Sequence, residues 1–407
     1  MSSDWSVCTL GEFVRLRRGH DLTSSEQKSG PFPVMGSAGQ NGTHNDALAT
    51  GPGVVIGRSG ASVGRVHFTE VDYWPHNTCL YVTDFLGNNP KYAYYLLQTL
   101  DLAAYNSGSA QPSLNRNLIY TVRLQVPTRP EQNVIADFLS NLDDRITLLR
   151  ETNKTLESIA QAVFKSWFVD FDAVRAKMET RQPEGMDEET AALFPDSFEE
   201  SVLGAIPRGW QVMSIGDAVE TVGGATPDTK NSDFWVPQVH CWTTPKDLSG
   251  IAAPILLDTE RKLSAEGIKR VSSGLLPTGT LLLSSRAPIG YLAIAQVPLA
   301  INQGYIAMLP GGLLSPLYLF FWCRQNMENI KSRANGSTFM EISKRAFRPI
   351  PVLVPSPELI HRFADTANAL FKRLSENEKQ AQTLSTLRDT LLPSLISGRL
   401  RLPEAQV

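Results

Sequence analysis

The sequence predicts an α+β chain: two pseudo-symmetric α/β domains, each followed by a long helix, with the two helices paired antiparallel as a coiled coil. Three observations carry this. The chain has 407 residues, 42% of them hydrophobic, enough for two or three globular units. Its landmarks occur twice in the same order, the signature of an internal repeat. Trp5-Ser-Val-Cys-Thr-Leu-Gly11 is echoed by Trp210-Gln-Val-Met-Ser-Ile-Gly216, Val54-Val-Ile-Gly-Arg58 by Leu281-Leu-Leu-Ser-Ser-Arg286, and His76-Asn77-Thr78 by Ile301-Asn302-Gln303. Ser107-Gly-Ser109 and Asn335-Gly-Ser337 form a fourth pair. Finally, each copy ends in a long run without Pro or Gly, 131–182 and 358–392.

In chain order, residues 1–127 form the first domain. Its short β-branched or aromatic runs at 53–58, 65–70 and 78–84 are separated by Gly, Asn and Ser, which reads as strands and turns. A first helix spans 128–172, opened by the capping box Thr128-x-x-Glu131. An acidic linker follows at 173–206, the second domain at 207–354, the second helix at 355–396 and a tail at 397–407. Ser356 before Pro357 marks the second helix start. The offset between copies grows from 205 at the tryptophans to about 228, so the second copy holds an insertion around 230–269.

Apolar residues recur at heptad spacing in both helices, with Ile146, Leu149, Leu156 and Val163 on one and Leu374, Leu384 and Leu391 on the other. A stripe about 30 residues long, at ~1.5 Å per residue, outreaches a small domain, so the helices are expected to pack on each other. A pseudo-two-fold axis would make them antiparallel and place the domains at opposite ends of a dumbbell. Phe164, Trp167 and Phe168, near the end of the first helix, exceed what a two-helix seam covers. They are expected to bind a partner protein, with burial by the second domain as the rival reading.

Charge is informative only by region. The net charge is −3, but residues 128–206 carry eight basic and sixteen acidic side chains, and 207–354 carry fourteen and ten. Most of the deficit sits in Asp170 to Glu200, which reads as an acidic linker, and the second domain is net positive. No apolar run is long enough to cross a membrane and no secretory signal opens the chain, so a cytoplasmic location is expected. The four cysteines, Cys8, Cys79, Cys241 and Cys323, lie far apart with no histidine at ligand spacing, so no metal site is expected.

Motifs for triphosphate binding, dinucleotide binding and zinc hydrolysis are missing from the sequence. Gly60-Ala-Ser62-Val-Gly64 fits GxSxG, but it joins two strand-like runs, and the second copy has proline near the serine's place. A tight turn is the better reading, and no catalytic residue is assigned. The glycine-punctuated loops instead carry hydrogen-bonding side chains suited to DNA. In the first copy these are Gln40, Asn41, His44, Arg58, Ser59, Ser62, Arg65, Ser109, Gln111, Asn115 and Arg116. In the second they are Lys230, Asn231, Arg286, Gln303, Asn335, Ser337, Lys344 and Arg345. Arg can pair with guanine and Asn or Gln with adenine, while Lys and Ser hold phosphates. Arg58 and Arg286 stand out because both copies keep them; their rival reading is a structural ion pair. A protein-binding or assembly scaffold without DNA specificity is the alternative for the whole chain.

Over essentially its whole length the chain resembles the specificity subunit of type I restriction-modification systems. The most specific stretch runs from Phe171-Asp-Ala-Val-Arg-Ala-Lys-Met178 through Ala192-Leu-Phe-Pro-Asp-Ser-Phe-Glu199 to Pro207-Arg-Gly-Trp210, which looks like that family's inter-repeat junction. The resemblance implies two target-recognition domains that read the halves of a bipartite site on double-stranded DNA, held apart by spacer helices. It implies a non-catalytic subunit without its own cofactor. S-adenosylmethionine, ATP and Mg are expected in its partners, two methyltransferase subunits and two restriction subunits in the full complex.

Overall fold

A computed structural model describes residues 5–106, 113–336 and 340–402. The chain divides into two compact units, one of residues 1–147 and 382–407, the other of 148–381.

In the first unit, Ser6–Thr9 pairs antiparallel with Arg123–Val126, tying the two ends of the domain together. Between them lies a four-stranded antiparallel sheet in the order Arg15–Arg18, Cys79–Asp84, Gly53–Gly57, Val66–Thr69. The strand Gly53–Gly57 is buried on both faces, as its unbroken apolar run requires. Val54, Ile56, Leu80 and Val82 face the helix Pro90–Gln98 and its Tyr92 and Leu96. Val55, Cys79 and Tyr81 face Met35 and Tyr73. A second sheet holds Gly39–His44, Phe32–Gly36 and Trp74–Pro75, the last pair parallel.

The second unit repeats this plan strand for strand. Gln211–Ser214 pairs with Pro351–Val354, and the three-stranded sheet is Arg261–Leu263, His240–Thr243, Leu299–Ile301, again with a parallel last pair. The main sheet gains a fifth strand: Thr221–Val222, Tyr305–Met308, Leu281–Ser284, Leu292–Ala295, Ile255–Leu256. The reason is the insertion, now located. Where Phe32–Gly36 and Gly39–His44 form a tight hairpin, their counterparts His240–Thr243 and Arg261–Leu263 are parted by residues 244–260. That segment supplies the helix Pro245–Leu248 and the added strand Ile255–Leu256.

The long helices are Arg129–Phe168 and Pro357–Ile396, 40 residues each. The Ser356 hydroxyl accepts from the Leu359 N–H at 3.3 Å, capping the second. In the first unit the helices run antiparallel: Leu139 shares a core with Leu395 and Ile396, and Asp143 pairs with Arg388 at 2.5 Å. In the second unit the same holds, with Asn377 donating to Asn153 at 3.0 Å and Phe164 meeting Phe363 edge to face. Ile146, Leu149 and Leu374 are buried. Leu156, Val163, Leu384 and Leu391 are half-buried.

Each domain wedges a helix against this pair with different chemistry. In the first unit the Tyr95 hydroxyl donates to Asp143 at 2.6 Å, beside Arg388. The positions matching these three by repeat are Phe321, Phe371 and Ala160, all in one apolar core, with the two rings 6.0 Å apart.

Two expectations are corrected here. Phe164, Trp167 and Phe168 do not form an open partner-binding face: they are 4, 7 and 5% exposed and covered by this chain. Phe164 meets Tyr318 and Phe321, Phe168 meets Trp210 and Tyr318, and Trp167 meets Phe194. The cause is the helix Pro316–Gln325, apolar on every side from Leu317 to Cys323, which needs burial on its outer face as well as against its sheet. The acidic stretch 173–206 is also more than a linker. It contains the helices Asp172–Met178 and Glu188–Ala192 and the hairpin Phe198–Ser201 with Gly204–Pro207. The apolar residues between its acids, Val174, Phe194 and Ile206, enter the second unit's core.

Candidate nucleic-acid interface

The described part of the first domain has a basic cleft of about 570 Å³ where the main sheet ends. It is lined by Arg17, Arg18, Gly19, His20, Asp21, Arg58, Leu80, Ser113, Leu114, Asn115 and Arg116. Three chain segments build it. Arg18 sits opposite Leu80 at the end of its strand, and Arg58 follows directly on Gly57. Asn115 caps the turn of helix Arg116–Ile119 by accepting from the Asn117 N–H at 3.0 Å. Ser59 and Ser113 form a β-bridge, and the Leu114 N–H donates to the Arg58 carbonyl at 2.8 Å, so the third segment is stitched to the second.

The guanidinium groups are oriented by backbone carbonyls. Arg116 donates to the Leu16 carbonyl at 3.0 Å and Arg58 to that of Asn77 at 3.5 Å. Each of these bonds occupies one of a guanidinium's five donors. Asp21 is the one carboxylate in the lining. It lies 3.5 Å from Arg18 and also accepts from the Asn77 amide. Gly19 is required where the cleft floor crosses the strand Trp74–Pro75, because a Cβ there would lie 2.1 Å from the His76 carbonyl oxygen. Gly224 is its repeat mate, 1.8 Å from the Ile301 carbonyl oxygen by the same measure.

Of the residues expected from sequence, Arg58, Asn115 and Arg116 come together here. Gln40 and Asn41 lie exposed on the strand Gly39–His44, outside the cleft lining. His44 does not face solvent: it is buried, stacks edge-on to Trp74 at 4.9 Å, and its Nδ1 accepts from the Lys28 N–H. Ser62 and Arg65 sit on the hairpin joining Gly53–Gly57 to Val66–Thr69, with the Arg65 N–H donating to the Ser62 carbonyl. That is the turn expected of the GxSxG segment, without the strand-to-helix elbow a nucleophilic serine uses. Ser109, Gln111 and Ser337 lie outside the described residues. Arg17 and Arg18 were missed; the run Arg15-Leu-Arg-Arg18 was the available signal.

In the second domain the polar residues are largely held by their own neighbours. Arg286 pairs with Glu341 at 3.5 Å. The Gln303 amide oxygen accepts from the Thr226 hydroxyl at 2.7 Å, and the Asn231 side chain accepts from the Asp233 N–H. Asn335 bridges to Glu341 through its backbone. Lys230 and Arg345 are exposed, the latter next to Lys344 on the short helix Lys344–Phe347. The pairing of Arg58 with Arg286 is also off by one residue. Arg58 and Ser285 both accept from the segment that follows, from Leu114 and Ile342 respectively, so Ser285 is the mate of Arg58 and Arg286 that of Ser59. Among the described residues no group of His, Cys, Asp and Glu could hold a metal ion, and no helix is long and apolar enough to cross a membrane.

Comparison with known proteins agrees with this two-copy architecture. The type I restriction modification DNA specificity domain matches twice, over residues 2–158 and 207–386. The HindI specificity subunit of Haemophilus influenzae is 27% identical over 358 residues, covering 76% of this chain and 77% of that protein. The MjaIX specificity subunit of Methanocaldococcus jannaschii is 38% identical over 185 residues, 45% of this chain and 42% of that one. In fold, the S subunit of a type I restriction-modification system from M. genitalium aligns over 97% of this chain and 96% of its own, with TM-score 0.60 at 16% identity. With the family match covering both repeats and most of the residues between the two ends, the chain belongs to the type I restriction-modification DNA specificity family.

Proposed function

We propose that this chain is the DNA-sequence-recognition subunit of a type I restriction-modification complex, reading a bipartite target with one half-site per domain. The observation that carries the reading is the duplicated domain of matched strand order and register within a DNA specificity family. Matched positions of the two repeats carry different side chains, Arg58 against Ser285 and Arg116 against Lys344, as two readers of different half-sites need. The chain contributes no catalysis. S-adenosylmethionine, ATP and Mg belong to its partners, two methyltransferase subunits and two restriction subunits, in the cytoplasm. The long helices act as the spacer between half-sites. The residues committed to DNA are Arg58, Asn115 and Arg116 with Arg18 in the first domain, and the exposed Lys344 and Arg345 in the second.

The test is co-expression with a methyltransferase subunit and mapping of methylated positions in host DNA. A two-part motif with a fixed gap is expected, and exchanging residues 1–127 for those of a relative should change one half only. A stable complex that methylates nothing, or an exchange that alters both halves, would overturn the reading in favour of a scaffold.

A further inference from the structure

The repeat provides an internal control for the basic cleft. Positions related by backbone hydrogen bonding can be compared directly. Gly19 matches Gly224, so Arg18 matches Gly223. Arg58 matches Ser285, and the capped turn Arg116–Ile119 matches Lys344–Phe347, so Arg116 matches Lys344. The same backbone therefore carries three arginines in the first domain, and one glycine, one serine and one lysine in the second. Where the first domain has the small Ser113, the second has Glu341, already paired with Arg286. In place of the Arg18 side chain, the Lys344 ammonium fills the space, 3.2 Å from where a Cβ on Gly223 would lie. One lysine stands where the other copy has three arginines at the matched positions.

A base edge in a groove accepts one bidentate arginine, and each further guanidinium against the same base has no acceptor left. A phosphodiester has acceptors all round and negative charge. Arg18, Arg58 and Arg116 line one concavity, Arg58 and Arg116 being held by main-chain carbonyls, and such a cluster fits the phosphate and not the base. We propose that the Arg18–Arg58–Arg116 cleft is a DNA-backbone phosphate clamp of the first domain, which the matched positions of the second do not repeat. It deepens the function proposed above: the first domain grips the backbone beside its half-site with a cluster whose matched positions in the second copy are glycine, serine and lysine.

The decisive experiment measures binding of the full chain to a random-sequence duplex as a function of salt, which does not depend on sequence reading. Each lost phosphate contact lowers the slope of log K against log salt by about 1. Arg18→Gln with Arg58→Gln should lower it by about 2, the triple change including Arg116→Gln by about 3, and Lys344→Gln by at most about 1. Assembly of each variant with the methyltransferase subunit confirms that it is folded. In that complex the double variant should methylate the same motif at a reduced extent. An altered base preference in one half-site would make the arginines base readers and overturn the clamp, as would an unchanged slope. Tight binding of inorganic phosphate alone with an unchanged duplex slope would assign a small-anion site and also overturn it. Should the wild-type complex show no bipartite motif, the recognition function fails, yet the slopes on random duplex still decide the cleft.

Discussion

Replacing Phe164 with alanine separates the two roles open to the aromatic cluster at the end of the first long helix. The ring is 4% exposed and sits among Tyr318, Phe168, Phe321 and Phe363 with centroids 5.1 to 5.8 Å away. Phe-to-Ala changes in cores cost about 3–5 kcal/mol, the size depending on how far the site can close over the hole. Here the walls are other rings, themselves fixed by contacts to Trp210 and Phe371, so closure is small and the cost belongs near the top, about 4–5 kcal/mol. With an m-value of about 3 kcal/mol/M in urea, the midpoint of the second unit should fall by about 1.5 M. Tryptophan fluorescence of the isolated chain reads this directly, since Trp167 and Trp210 lie in the same core. Ile159→Ala, at a site 45% exposed on the same helix, is the control and should cost less than about 1 kcal/mol. An unchanged midpoint for Phe164→Ala, combined with loss of complex formation, would refute burial by this chain and restore a partner-binding face.

The buried Asn153–Asn377 pair gives a second prediction. Asn153→Ala strands a buried amide and should destabilise by about 1–3 kcal/mol, whereas adding Asn377→Leu installs the residues used at the mated positions, Ala381 and Leu149, and should recover most of that loss; a double variant as unstable as the single would refute it. Burial holds the phenols of Tyr73, Tyr92, Tyr95, Tyr305 and Tyr318 protonated above their ordinary range, and pushes the Cys79 thiol up to about 12. Unfolded tyrosines ionise near pH 10, so the folded state binds more protons above that pH and stability must fall as pH rises through it. Urea midpoints that do not drop between pH 9 and pH 11 would contradict this. Four residues added to each long helix, at ~1.5 Å apiece, should favour targets whose gap is about two base pairs longer; methylation at the original gap would count against a spacer role.

Much of this was legible in the chain itself. The duplicated landmarks, the two long runs without Pro or Gly and the GxSxG turn are local patterns, and local patterns survive in a linear reading because periodicity and turn chemistry act over a few residues. The aromatic run Tyr318 to Trp322 was legible as core, but not that its outer side would receive Phe164 and Phe168. That contact joins residues 150 or more positions apart and depends on where a whole domain folds back. The interval of the insertion could be read, yet its effect could not. Only strand pairing shows that Ile255–Leu256 adds an edge to the main sheet.

The candidate interface divides along the same line. Residue types suited to DNA could be chosen from composition, and Arg58, Asn115 and Arg116 were chosen so. Their meeting with Arg18 depends on the antiparallel register of Arg15–Arg18 with Cys79–Asp84 and on one bridge between Ser59 and Ser113. The withdrawal of His44 into the protein and the one-residue shift that makes Ser285 the mate of Arg58 depend on such pairings too. Repeat number and helix extent are thus properties of the sequence alone, because short-range patterns and duplicated motifs specify them. Which charges share a cleft, and which aromatic face stays covered, were decided by tertiary structure, because both turn on hydrogen-bond register and packing between segments far apart in the chain.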